Sequence, residues 1–411
     1  MAPTKAPTKA GPRPRPARRE QHVSRNRHPT GRPRPRPRAV PGRFVALLAI
    51  VVVLNLIGLV MVLSASSVSA LHDYGSSWLY FNRQAIWTLL GFAALLVALR
   101  VDYHFWRRLT PLVLLVGFGL LVVVLLPGVG LTVNGSKSWL GHGSLRMQPA
   151  ELMKLALLLY VADLLARRAD RMGDLRATLW PVLIVLGATG VLLMLQPDLG
   201  TAIVTAAIVV GMLYIAGTPL LPLATATATL GGAALFLTMS VPYRRARLLS
   251  FLHPSDDPLN RGWQTLQSLV GIASGGLAGV GLGAGRAKWG FLPEAHTDFI
   301  FAIIGEELGF VGCFVVVGLF AAFGVLGLQT ARRAPDRYGM LVAAGVTVWV
   351  LVQSLVNMGA VVGLLPITGL PLPFVSFGGS SLITTMAATG LLLNIARQGT
   401  TSRGTTRSAR R

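Results

Sequence analysis

Acidic side chains are scarce in this sequence: 15 Asp and Glu stand against 38 Lys and Arg in 411 residues, and only 13% of residues carry a charge. Charges so few, and gathered in short blocks between apolar runs, exclude a soluble domain. Cysteine is nearly missing. Cys313 lies alone in an apolar stretch, so no intramolecular disulfide can form and a packing role is expected. No Cys/His cluster has metal-ligand spacing, no Ser-His-Asp order stands out, and no convincing internal repeat is present. The glycine-rich stretch GIASGGLAGVGLGAG, Gly271 to Gly285, has no flanking strand, which argues against a Rossmann or P-loop reading. A backbone nest for a pyrophosphate stays open there. A cleavable signal peptide is not expected either, because over forty polar residues precede the first apolar run and that run is long enough to span.

What the sequence has is apolar length: 53% of residues are hydrophobic. A hydrocarbon layer of about 30 Å needs about 20 apolar residues per helical crossing. Spans of that kind fall near 44–67, 85–101, 110–127, 148–166, 179–196, 200–217, 219–241, 299–328, 340–364 and 381–396. The expectation is an all-α polytopic membrane protein of ten transmembrane helices, with both termini on one side. The basic ends set that side. Thirteen Lys or Arg and a single acid, Glu20, lie between Met1 and Arg43, and Arg397, Arg403, Arg407, Arg410 and Arg411 close the chain. Basic tails beside apolar helices follow from the positive-inside rule and place both ends in the cytoplasm. Nucleic-acid binding is the rejected alternative, since no aromatic interleaving accompanies the charge. The expected organisation is a disordered basic Pro/Arg-rich tail over 1–43, a transmembrane domain over 44–397, and a second basic tail over 398–411. The charged loops agree with this orientation except the long outer stretch 242–298, which is basic. An anionic ligand there is one reason, and charge-blind translocation of a long loop is another.

Polar residues at membrane depth mark candidate chemistry. Gln148, Glu151 and Lys154 head an apolar helix, and Glu151 with Lys154 forms an i,i+3 pair that lines a substrate path or glues helices together. Asp198, in QPDLG, fits turn chemistry. The segment PITGLPLPFVSFGGSS carries Pro366, Pro371 and Pro373, which block regular helix, and the hydroxyls of Ser376, Ser380 and Ser381. Such a loop is expected to roof a cavity together with 128–147 and 242–298; an ordinary surface connection is the alternative. In FLPEAHTDFIFAIIGEELGF, Pro293, Glu294, His296, Thr297 and Asp298 precede an apolar helix. Thr297 or Asp298 can simply cap it. Glu306 follows Asp298 at about 80° round an ideal helix, so the two can border one cavity, while Glu307 points nearly the opposite way.

At these residues the sequence resembles the FtsW/RodA/SpoVE family, the SEDS proteins, from about Gly58 to Arg397. The resemblance rests on six ordered strings: QPAELMK, QPDLGTA, YRRARLLSFLHP, GWQTLQSLVGIASGG, LPEAHTDFIFAIIGEELGF and PITGLPLPFVSFGGSS. It implies a ten-helix SEDS fold with both termini inside, and peptidoglycan glycosyltransferase activity on lipid II outside the membrane. It also implies work alongside a class B penicillin-binding protein among other division proteins. GLVMVLSAS, the HTDFIFAIIGEELG wording and the long leader side with the division member of the family over the elongation member. In the family the Asp of the HTDF motif is essential, and here it is Asp298. Inverting transfer needs one base on the acceptor hydroxyl. A divalent cation, magnesium or manganese, or the outer residues Arg83, Lys137, Arg244 and Arg247 are expected to hold the pyrophosphate. Substrate contacts are expected from Glu151, Lys154, His296, Ser376 and Ser380. This chain departs from the pattern in having Ser138 before Trp139, and Gly290 at a position acidic in some relatives. A lipid II flippase and a division scaffold remain the alternative readings.

Overall fold

Helix formation follows the apolar runs, and each run ends where a turn signal or a capping side chain stands. The computed structural model describes residues 42–133, 135–143, 145–252, 254–257 and 262–399, besides Ala2, Thr4 and Gly11. Among them the order is α1 (Gly42–Tyr74), α2 (Leu79–Arg100), α3 (Tyr103–Val123), α4 (Pro149–Arg167), α5 (Leu179–Leu195) and α6 (Leu199–Ala216). Then come α7 (Leu220–Ser240), α8 (Pro242–Leu252), α9 (Trp263–Gly275), α10 (Ile300–Arg332), α11 (Arg337–Val361) and α12 (Gly379–Gln398). All belong to one compact unit, Val40–Arg411. The two basic tails lie largely outside the described residues; Gly42 and Arg43 already belong to α1 and Gln398 still belongs to α12.

Side-chain caps set several starts. Asp102 accepts the His104 amide ahead of α3, Asp198 accepts the Thr201 amide ahead of α6, and Asp336 accepts the Gly339 amide ahead of α11. Gly217 ends α6 in a left-handed conformation that an L side chain resists. Each of the ten apolar runs is matched by one helix. Eight of these are long and apolar enough to cross a membrane: α1, α2, α3, α6, α7, α10, α11 and α12. The other two have physical reasons to fall short. α4 carries Glu151, Lys154, Asp163 and Arg167, and α5 is only 17 residues long. The fold is therefore an all-α multi-pass membrane protein.

The core sits around α11 and α12. Lipid supplies no hydrophobic force between helices, so close packing depends on small residues. A side chain at Gly345 would meet Leu158 and Met212, and one at Gly324 would meet Leu351, so α4, α6 and α10 can all lie close to α11. Outward faces remain apolar, with Leu89, Leu115, Ile184, Leu221 and Phe314 all strongly exposed. α7 is the least embedded span, burying only Leu223 and Thr238.

Two loops depart from the sequence reading. Residues 131–147, read as plain loop, form a small antiparallel sheet of β1 (Leu131–Val133), β2 (Ser136–His142) and β3 (Leu145–Met147), in that order. The stretch 242–298 is no open loop, since it contains α8, a short 3-10 turn at Pro254–Asp256 and α9 before the glycine-rich turns.

Candidate functional site

The loop between α11 and α12 is re-entrant rather than superficial: Leu370, Leu372, Phe374, Val375 and Ser376 are all buried. Two glycines on neighbouring helices make room for its backbone. A Cβ on Gly58 of α1 would lie 2.6 Å from the Val375 carbonyl oxygen, and one on Gly200 of α6 would lie 2.6 Å from that of Thr368. Buried backbone carbonyls need donors. Side-chain amides supply them: Gln353 Nε2 donates to Pro371 O at 2.9 Å, Asn357 Nδ2 to Leu370 O at 2.8 Å, and Gln84 Nε2 to Ser376 O at 3.3 Å. The loop also closes on itself, with Ser376 Oγ accepting the Leu372 amide at 2.9 Å. Phe374 is held at φ 66°, a conformation costing a non-glycine residue about 1–2 kcal/mol.

Asp298 stands beside this loop at the head of α10. It is half-buried, and an added Cβ on Gly369 would lie 3.6 Å from its Oδ2. The N-cap position of α10 is Phe299, which makes no side-chain capping bond, and Thr297 Oγ1 instead donates to Glu294 O and Oε2 at 3.1 and 2.9 Å. Thr297 thus turns back onto Glu294, itself at φ 55°, rather than forward onto α10. The Asp298 main-chain carbonyl accepts the second N–H of Asn357 at 2.8 Å. His296 packs in a cluster of rings, 4.5 Å from Tyr80 and 5.6 Å from Phe377 between centroids, and its carbonyl accepts the Phe377 amide at 3.0 Å. Burial holds the imidazole below its ordinary pKa, with the Glu294 charge pulling the other way. Arg83 lies one turn beyond Tyr80 on α2 and is half-buried.

Deeper in the bundle, Lys154 Nζ lies 2.9 Å from Glu151 Oε1, with both side chains almost fully buried. The contact is ionic, for neither Glu151 oxygen has a hydrogen-bond partner among the described residues. Lys154 also donates to Gln353 Oε1 at 2.9 Å and lies 5.1 Å from the centre of the Trp349 ring. Gln353 therefore joins the ion pair to the Pro371 carbonyl. At the mouth of α4, Gln148 donates through Nε2 to Asp198 Oδ2 at 2.9 Å and through its main-chain N–H to Ser380 Oγ at 3.2 Å. Burial raises the Asp198 pKa, opposed by the Thr201 hydrogen bonds and the Lys154 charge.

The carboxylates of Glu306 and Glu307 correct the sequence reading. α10 breaks at Gly309, with φ 68° and ψ −165°, and the glycine-rich segment fills the break. Val280 N donates to Glu306 O, Gly281 N to Glu307 O, Phe310 N to Gly276 O and Val311 N to Leu277 O, at 3.0, 3.1, 2.9 and 3.2 Å respectively. Glu306 accepts the Arg286 amide at 2.6 Å and the Ala287 amide at 3.2 Å. Glu307 accepts Ser64 Oγ at 2.7 Å, Gly283 N at 3.1 Å and Lys288 Nζ at 2.9 Å. The amide nest is real, but the anions it holds are these two side chains. Both carboxylates meet the same glycine-rich segment because that segment wraps round the end of the first helical piece. Glu306 is accordingly engaged by the Arg286 and Ala287 amides rather than open beside Asp298.

Of the residues expected to hold pyrophosphate, Lys137 is committed elsewhere, donating to Leu125 O and Leu126 O at 3.1 and 2.8 Å, at the end of α3. Arg244 and Arg247 lie on α8, and their side chains fall outside the described residues. Among the described residues no three His, Cys, Asp or Glu side chains gather as metal ligands. Sequence reasoning missed Gln353, Asn357 and Lys288. Amides inside an apolar helix were the available signal for the first two.

Fold and site define a multi-pass membrane protein whose polar interior runs from an ion pair on α4 to a carboxylate beneath a re-entrant loop. Residues 45–401 match the family described as cell cycle protein, FtsW/RodA/SpoVE. Stage V sporulation protein E of Bacillus subtilis is 40% identical over 351 residues, 85% of this chain and 96% of that protein. A probable peptidoglycan glycosyltransferase FtsW of Geobacter metallireducens is 41% identical over 350 residues, 85% and 93% of the two chains. Among solved structures, a chain of a peptidoglycan synthase complex that coordinates polymerization and crosslinking superposes with a TM-score of 0.70 at 30% identity, covering 88% of this chain and 99% of that one. The rod shape determining protein RodA of Thermus thermophilus gives 0.63 at 29%, covering 86% and 96%. The chain belongs to the FtsW/RodA/SpoVE family.

Proposed function

We propose that this protein is a peptidoglycan glycosyltransferase that polymerises lipid II into glycan strands during septal wall synthesis in bacterial cell division, with Asp298 as the general base. The observation that carries the reading is the placement of Asp298: a half-buried carboxylate beside the Gly369 turn, in a region where Glu151, Glu306 and Glu307 are all buried. A carboxylate with solvent access can take the proton from the acceptor sugar's 4-hydroxyl as that oxygen attacks the donor's anomeric carbon. The bond to the undecaprenyl pyrophosphate breaks in the same displacement, and configuration inverts. Cationic side chains such as Arg83 would steady the leaving pyrophosphate, and a divalent cation would assist through the phosphates themselves, since such ions often take one or two carboxylates and fill the rest with water and phosphate. Both tails lie in the cytoplasm, the transfer occurs outside the membrane at the septum, and the partner is a class B penicillin-binding protein that crosslinks the product.

The test is Asp298→Asn, assayed with purified protein, its penicillin-binding partner and labelled lipid II. A positioned base contributes about 100- to 10,000-fold, so polymer should vanish from detection while lipid II binding and thermal stability stay near parental. Polymerisation at the parental rate would sink the assignment. Loss of folding would return Asp298 to a structural role, and a flippase or scaffold would retain its function in the variant.

A further inference from the structure

The amide of Asn357 does something packing alone does not require. It sits on α11, buried to 2% exposure, and gives both of its N–H groups to carbonyls from segments far apart in sequence: Asp298 O and Leu370 O, each at 2.8 Å. The first of these carbonyls stands outside the α10 ladder, where Ala302 N and Ile303 N both turn to Phe299 O. The second follows Gly369, where an added Cβ would lie 3.6 Å from Asp298 Oδ2. One planar amide therefore sets the spacing between the two pieces of backbone that bracket the carboxylate. Its orientation is fixed by chemistry, since the flipped amide would face two carbonyl oxygens with a third oxygen. The cost of this choice is visible: Asn357 Oδ1 is buried with no partner among the described residues. A leucine would fill the space without an orphaned acceptor, so the donors are what the position needs.

One turn earlier on the same face, Gln353 repeats the device. Its Nε2 holds Pro371 O, and its Oε1 accepts from Lys154 Nζ and Trp349 Nε1 at 2.9 Å each. Here too a flip is excluded, because it would set an amide N–H against two donors. The turn at Leu370 and Pro371 is thus gripped twice from α11, once by a residue that also holds Asp298 and once by a residue that also holds the α4 lysine.

We propose that Asn357 is a positioning residue for glycan transfer, supported by Gln353: it fixes the Asp298 main chain against the Gly369–Pro371 turn and so aims the carboxylate at the acceptor hydroxyl. This rests on the reading of Asp298 as base. Displacing a reacting group by about 1 Å can cost about 100-fold in rate while leaving remote substrate contacts intact. The split between turnover and binding therefore separates positioning from mere support of the fold.

The experiment uses the full chain purified with its penicillin-binding partner and labelled lipid II, comparing Asn357→Leu, Asn357→Gln and Asp298→Asn with the parent. Asn357→Leu should lower kcat by about 10- to 100-fold with KM and lipid II binding changed less than about threefold, while the two carbonyls left without donors lower the unfolding temperature without abolishing the fold. Asn357→Gln keeps both donors on a longer arm, so it should fold even if the leucine variant does not, and should still lose turnover because both carbonyls are displaced. Turnover within about twofold of the parent in either folded variant overturns the proposal, as does a loss that tracks equal losses of binding and stability. The two assignments fail separately: an active Asp298→Asn removes the base and this role with it, whereas an inactive Asp298→Asn beside a fully active Asn357→Leu removes this role alone.

Discussion

Replacing Lys154 by Met isolates the energetics of the buried ion pair. The ammonium loses three contacts at once: Glu151 Oε1 at 2.9 Å, Gln353 Oε1 at 2.9 Å and the Trp349 ring at 5.1 Å. At an effective dielectric constant of about 20, two unit charges at that separation attract by about 6 kcal/mol, most of which repays their desolvation. Methionine fills similar volume, so the change is electrostatic. It strands the Glu151 carboxylate, whose oxygens have no hydrogen-bond partner among the described residues to take over. Breaking a buried pair from one side costs about 3–5 kcal/mol, whereas replacing both members by neutral groups of similar size is close to neutral. Lys154→Met should therefore destabilise strongly, and Glu151→Gln/Lys154→Met should recover at least about 2 kcal/mol as a coupling energy. Reversible unfolding in mixed micelles measures the cycle, with lipid II polymerisation followed on the same samples. Regained stability with activity still lost assigns the pair to the substrate path, and recovery of both makes it helix glue. A single variant within about 1 kcal/mol of the parent, with additive effects in the double variant, refutes the reasoning.

Two further changes probe the ends of the site. Gly369 has φ 74°, so Gly369→Ala should cost about 1–2 kcal/mol and, by placing a methyl 3.6 Å from Asp298 Oδ2, should lower turnover more than lipid II affinity; equal stability and rate in the variant would contradict the turn geometry. His296 has a folded-state pKa below its ordinary 6.5, so between the two values the unfolded chain binds more protons and stability rises with pH. Its contribution should be complete above about pH 6.5 and lost as pH falls toward the folded value, and His296→Phe should flatten this part of the unfolding profile.

The membrane fold was largely legible because hydropathy reports span existence directly. The ten apolar runs all became helices, with edges shifted by a few residues: α1 starts at Gly42 rather than 44, and α10 and α12 run beyond their apolar windows. The small β1–β3 sheet was not legible, for strands of three and seven residues leave little periodicity. Lys137 shows a second limit. Its position in an expected outer loop suits an anion, but sequence does not reveal that the carbonyls of Leu125 and Leu126, in the turn after α3, lie within its reach. Asn357 and Gln353 show a third: their spacing puts them on one face of α11, yet the carbonyls they serve come from 59 and 13 and from 18 residues away.

The glycine-rich stretch shows why a motif without its partner stays ambiguous. Successive amides in turns built from left-handed glycines attract an anion whatever its source, and Gly279, Gly281 and Gly283 all have positive φ. The sequence leaves the anion open: pyrophosphate is one candidate, and the spacing of Glu306 and Glu307, about 100° apart on an ideal helix, does not single out the two carboxylates. Gly309, with φ 68°, ends the first piece of α10 just past Glu307 and lets the glycine-rich segment wrap round that end. Freed helix carbonyls then accept Val280 and Gly281, freed amides at Phe310 and Val311 donate to Gly276 and Leu277, and the two carboxylates settle into the remaining amides and Lys288. Broken helices at membrane depth persist only where protein satisfies the exposed backbone. The nest and the break are therefore one structure, each supplying the partners the other lacks. Because that structure grips one end of Ile300–Leu308 while Asn357 grips the Asp298 carbonyl just ahead of the other, the short helical piece that follows Asp298 is held from both ends.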